Sequence, residues 1–238
     1  MSKLTHSVNS TRITFIILLL ITIAGILCSG LNPYTYITTN IISNSAKKTI
    51  VIDPGHGGYD PGKVGVLKTL EKDINLAIAL QLEKELKANN IDVVMTRTED
   101  IDYSTNGTGS KKVNDLNSRI NIINEAAPEM VISIHQNSFG DSSVKGAQVF
   151  YYGDEKNTSY ELANSIQTSL ISDIDSNNHR TPKSNTSYYM LKKTKYPTVI
   201  VECGFLSNAE EEKKLGNTDY QNQVAKAICH GILNYLLM

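Results

Sequence analysis

The sequence predicts an α/β domain: a mostly parallel, twisted sheet of about six strands, flanked by helices on both faces. Three observations predict it. Short runs rich in Val and Ile alternate with longer stretches whose apolar residues recur at helical spacing. Those short runs are apolar throughout rather than at every second residue, the pattern of strands buried on both faces. Glycine-rich or polar segments separate the two kinds of stretch.

Thr49 to Asp53 reads as the first strand, and Pro54 to Gly62 as a glycine-rich loop. Thr69 is placed to cap a helix running to about Ala88, with Ile74, Ile78, Leu82 and Leu86 along one stripe. Ile91 to Thr96 is the second strand. Asp100 to Lys112 is a polar loop long enough to serve function. Val113 to Ala126 is a helix with Leu116, Ile120 and Ile123 inward, closed by Pro128. Met130 to Ile134 and Ala147 to Tyr152 are strands, and Asn157 to Ile171 is a helix. After a polar, irregular stretch from Ser172 to Ser187, Tyr188 to Leu191 and Thr198 to Val201 read as the last strands. A final helix runs from Tyr220 to Leu237, with Val224, Ile228 and Ile232 at helical spacing.

The first part of the chain does not read as fold. Lys3 and Arg12 precede an apolar run from Ile13 to Leu27, so residues 1–30 are expected to be a signal peptide, with an uncleaved membrane anchor as the alternative. Residues 31–48, rich in Asn, Thr and Ser, read as a tether. Residues 49–238, about 190 in all, suffice for one well-buried domain. The expected location is outside the cytoplasmic membrane. A formal net charge of −1 with interspersed signs gives no clustered basic face, so no nucleic-acid partner is expected. Three cysteines are too few for a disulfide framework; Cys203 and Cys229 are expected to be buried free thiols, with a Cys203–Cys229 bridge as the alternative.

His56 and His135 each follow an apolar strand, which delivers them to one rim of the sheet. Two imidazoles and a carboxylate make a three-ligand catalytic zinc inventory. Glu71, in the first helical turn, is a candidate third ligand. An acid favoured there by the helix dipole is the competing reading. Glu202 follows the apolar run Thr198 to Val201. A buried acid is costly unless paired or used. It is either a general base or the partner of a distant arginine such as Arg97 or Arg119.

The motifs together resemble the zinc-dependent N-acetylmuramoyl-L-alanine amidases of the amidase-3 family. They are Ile52-Asp53-Pro54-Gly55-His56-Gly57-Gly58, Glu71 to Leu76, Leu116 to Asn124 with Arg119, Ser133-Ile134-His135-Gln136-Asn137, and Pro197 to Asn208. The resemblance implies that His56, Glu71 and His135 bind Zn2+ and that Glu202 is the catalytic acid/base. Gln136 departs from the pattern, since many members have Ala there. One catalytic domain behind an N-terminal hydrophobic segment, without wall-binding repeats, is similar to the CwlD-like, spore-cortex type. That type trims peptide from muramic acid so that muramic-δ-lactam can form. The implied substrate is peptidoglycan, with an accessory spore lipoprotein as a possible partner and a membrane contact through the N-terminal segment.

Three rival readings compete. Cys203 as nucleophile with His135 as base would leave His56 and Glu71 without a role. A wall-binding or accessory protein with a vestigial or partner-dependent site would show the same residues. The glycine loop lacks the Gly-Lys-Ser/Thr ending of a phosphate cradle.

Overall fold

A computed structural model describes residues 48–105 and 107–238. The strands are β1 (Thr49–Pro54), β2 (Asp92–Met95), β3 (Met130–Asn137), β4 (Gln148–Tyr151), β5 (Lys183–Ser184) and β6 (Thr198–Phe205). The helices are α1 (Glu71–Ala88), α2 (Lys111–Ala126), α3 (Thr158–Asp173), α4 (Tyr189–Lys193), α5 (Ala209–Leu215) and α6 (Thr218–Leu236). The strands form one sheet in the order β2-β1-β3-β6-β4-β5. Its pairings are parallel except for β4 against β6, so the sheet is mixed but mostly parallel.

Each central strand is buried on both faces, as its unbroken apolar run requires. Ile50, Ile52, Ile132, Ile134, Val199 and Val201 pack with α1, α3 and α6 on one face. Val51, Val131 and Ile200, from the alternate positions, pack with α2 and α4 on the other. Fully burying one such side chain stabilises the fold by roughly 1.5–3 kcal/mol before the entropy of ordering is set against it. Gly231 lets α6 press onto α3, because a Cβ there would lie 2.5 Å from the Ile166 Cα.

Several expectations need correction. Thr69 does not cap α1. The N-cap position is Leu70, without a side-chain bond. Loop carbonyls take its place: Glu71 N donates to Lys63 O and Lys72 N to Pro61 O. Tyr188 to Leu191 is not a strand. Asn185 Oδ1 accepts from the Ser187 and Tyr188 amides, and the chain turns into α4, which buries the adjacent Met190 and Leu191. The sheet edge is taken by β5 instead. β3 and β6 are longer than their apolar runs. They stay paired to Asn137 and Phe205 through a register shift, so His135 and Glu202 lie within strands rather than after them. The short helix α5 has no counterpart in the sequence reading. The expected export segment, and all of the tether but Lys48, lie outside the described residues. Among the described residues no helix is long and apolar enough to cross a membrane.

Candidate metal centre

β1 ends at Pro54, and the chain turns sharply. His56 has φ of 62° and Gly57 φ of 135°, so a left-handed step swings the imidazole back over the rim of the sheet. Buried guanidiniums hold the turn in place. Arg119 donates to Pro54 O at 2.7 Å and His56 O at 2.6 Å, and Arg97 donates to Pro54 O and Gly55 O. His56 Nδ1 lies 2.9 Å from Asp60 Oδ2. A proton on Nδ1 toward Asp60 leaves the Nε2 lone pair for the site.

Glu71 reaches the same point from the N-terminus of α1. Its Oε2 accepts from Lys63 N at 2.8 Å and its Oε1 from Gln136 N at 3.1 Å. Oε1 stands 3.0 Å from His135 Nδ1 and 3.3 Å from His56 Nε2. Burial disfavours the carboxylate, but bonds to His135 and His56 outweigh it and hold the group well below the usual carboxylate range.

The surroundings are shaped to these three side chains. A Cβ on Gly55 would lie 2.2 Å from the His135 ring, and one on Gly62 would lie 2.6 Å from Glu71 Oε2. The donor atoms of His56, Glu71 and His135 all fall within 4.8 Å of one another. Two imidazoles and one carboxylate converging this closely fit a divalent, borderline-soft cation.

Glu202 is the cross-strand neighbour of His135. It points to the α2/α4 face with Ile200 and is 7 % exposed. Its Oε2 is buried with no hydrogen-bond partner among the described residues. Burial raises the carboxyl to about 7; His135 opposes the rise and Glu71 adds to it. The arginine-partner reading fails. Arg119 pairs with Asp53 and Asp115, and Arg97 binds backbone carbonyls. His56, Glu71, His135 and Glu202 line one open cavity of about 380 Å³, with Tyr188 and Lys112 also on its wall.

Cys203 points the other way. It is 2 % exposed in the core with Val199 and Val201, and burial pushes its thiol far above the usual range. Among the described residues Cys203 and Cys229 form no disulfide. The four expected site residues are thus brought together. Asp60 and Asn75, which lie in the loop and the helix motif named above, have no role assigned by the sequence. Asp60 four residues after His56, and Asn75 four residues after Glu71 on a helix, were the available signals.

The family model described as N-acetylmuramoyl-L-alanine amidase (amidase-3) matches residues 50–234. The chain is similar to the germination-specific N-acetylmuramoyl-L-alanine amidase of Bacillus subtilis, 39% identical over 191 residues that cover 79% of each protein. It is similar to the CwlD amidase from Clostridioides difficile, solved in complex with the GerS lipoprotein: TM-score 0.76, 42% identity, covering 80% of this chain and 99% of that one. The N-acetylmuramoyl-L-alanine amidase AmiC2 of Nostoc punctiforme matches with TM-score 0.70 and 32% identity, across 82% of this chain and 100% of that one. A match that runs from β1 to α6 and includes every strand of the sheet places the chain in the amidase-3 family, as an N-acetylmuramoyl-L-alanine amidase acting on peptidoglycan.

Proposed function

We propose that the chain is a zinc amidase in which His56, Glu71 and His135 hold the metal and Glu202 moves the proton. The observation that carries this reading is Glu202 Oε2, a buried carboxylate oxygen without a hydrogen-bond partner among the described residues, beside three converging side chains. Bound there, zinc supplies Lewis acidity toward the scissile carbonyl and the attacking water. Glu202 takes the water's proton as the water attacks the lactyl carbonyl of muramic acid. It then delivers that proton to the L-alanine nitrogen as the C–N bond breaks, so a poor leaving group departs as a neutral amine. A buried carboxyl group on the wall of the same cavity as the ligands is placed for both transfers. Asp60 keeps His56 in the tautomer that presents Nε2.

The substrate we assign is spore-cortex peptidoglycan, where peptide removal precedes muramic-δ-lactam formation. Similarity to a germination-specific amidase and to CwlD supports this. Residues 1–30 export or anchor the chain, residues 31–48 tether it, and residues 49–238 catalyse. An accessory lipoprotein is the proposed partner, supported by the relative solved with one. The test is mass spectrometry of purified wall fragments treated with the zinc-loaded protein. Release of whole stem peptides with a free L-alanine amine supports the reading; cleavage within peptide or glycan overturns it. For the cortex assignment, Glu202→Gln replaced into a spore-former carrying this chain should abolish muramic-δ-lactam. Normal lactam content would refute that assignment.

A further inference from the structure

The carboxylate of Glu71 is held by the side-chain amide of Asn75, which is held in turn by that of Gln136, and the proposed chemistry uses neither. Asn75 Nδ2 donates to Glu71 Oε1 at 3.3 Å and to Gly55 O at 3.1 Å. Gln136 Nε2 donates to Asn75 Oδ1 at 3.1 Å. The Gln136 backbone N–H binds the same Glu71 oxygen. Asn75 is 0 % and Gln136 4 % exposed, so water does not substitute for either.

Donor and acceptor chemistry fixes the direction of this chain of bonds. Gly55 O and the Glu71 carboxylate only accept, so the Asn75 NH2 must face them. Its Oδ1 is then turned toward Gln136, which must present its own NH2. Among the described residues Gln136 Oε1 is left buried without a hydrogen-bond partner. A polar side chain kept in the core with one orphan atom is poor material for stability. It is well placed to hold Asn75 in one orientation, and through it the Glu71 oxygen that faces both imidazoles.

We propose that Asn75 and Gln136 are positioning residues for the metal centre: a buried two-amide relay, with Gln136 acting through Asn75, that locks Glu71 and so sets affinity for the cation. The inference rests on the proposed ligand role of Glu71. Partners that orient a ligand commonly change metal affinity by about 10–100-fold when removed.

The test measures zinc affinity of the full chain by competition with a chromogenic chelator, and the visible spectrum after cobalt(II) substitution. Wild type is compared with Asn75→Ala, Gln136→Ala, Gln136→Met and the Asn75→Ala/Gln136→Ala double variant. Gln136→Met keeps the volume and removes the donor. Each single variant should bind zinc about 10–100-fold more weakly and alter the cobalt spectrum. The double variant should be no weaker than Asn75→Ala, because the two residues act in series. Should Asn75→Ala not fold, Gln136→Met still decides: wild-type affinity and spectrum with only a lower Tm would overturn the relay. Additive losses in the double variant would overturn the order of action. Glu71→Ala separates the two claims, since wild-type zinc affinity in that variant removes the ligand reading itself.

Discussion

Arg119 Nη1 stands 3.0 Å from Asp53 Oδ1, and both side chains are closed off from solvent. Thr96 and Ser133 also donate to the Asp53 carboxylate. The guanidinium ties α2 to β1 and holds the carbonyl of His56, so it links sheet stability to the placement of a proposed ligand. Removing one member of a buried pair leaves an uncompensated charge. Arg119→Ala should therefore cost about 3–5 kcal/mol in urea unfolding. A loss under about 1 kcal/mol would mean the pair is not a structural anchor.

Asp53 also predicts an acid response. Burial opposes its ionisation, but Arg119 with the Thr96 and Ser133 hydrogen bonds holds the folded carboxyl below its ordinary value. A depressed folded pKa contributes stability that is complete above the unfolded value near ~3.9 and is lost as pH falls through the folded one. Asp53→Asn should be less stable than wild type at neutral pH, with a flatter stability curve below about pH 4. Parallel curves for the two proteins, from denaturant titrations at several pH values, would remove Asp53 as the source.

Glu202 predicts the opposite sign in the metal-free protein. Its folded pKa is raised to about 7, chiefly by burial. The stability it contributes is complete below the unfolded carboxyl value near ~4.3 and is lost as pH rises through the folded value. Glu202→Gln stays neutral, so the metal-free variant should gain in Tm over metal-free wild type as pH increases from about 5 to 8. A Tm difference independent of pH would contradict the buried, unpartnered carboxylate.

Cys203 lies on the core side of β6, away from the cavity. Cys203→Ser should retain substantial amidase activity. The folded wild-type protein should resist inactivation by iodoacetamide, since thiolate and access are both suppressed. Rapid loss of activity on alkylation, prevented by substrate, would restore the thiol mechanism.

The core clusters draw on elements between Thr49 and Leu236, and the match to CwlD covers 99% of that chain with 80% of this one. A fragment of residues 48–238 should unfold in one cooperative transition with a Tm close to that of the full chain. An aggregated fragment, or one lacking a transition, would show that residues 1–47 contribute to the fold.

Much of this molecule was legible because its signals are local. The runs at Thr49, Met130 and Thr198 mark central strands by apolar content alone, and His56 and His135 follow from their positions on them. What was hidden depends on partners distant in sequence. β3 and β6 extend over polar residues because each supplies the other's ladder bonds. Tyr188 to Leu191 has strand-like composition, yet an Asn185 turn and two adjacent buried side chains make it helical. Glu71 could be read as a helix-dipole acid until the loop after β1 placed His56, and β3 placed His135, beside it. The amide relay beneath it joins positions 61 residues apart, a pairing that no spacing rule reveals.

The division of labour between metal ligands and proton carrier is tested most directly by measuring zinc content and released stem peptide on the same preparations. The proteins to compare are wild type, Glu71→Ala and Glu202→Gln. Wild type should hold about one zinc per chain and release peptide. Glu202→Gln should hold the same zinc and lose about 10²–10⁴-fold in turnover, and Glu71→Ala should lose both metal and product. Wild-type turnover by Glu202→Gln, or full zinc content in Glu71→Ala, would contradict the account.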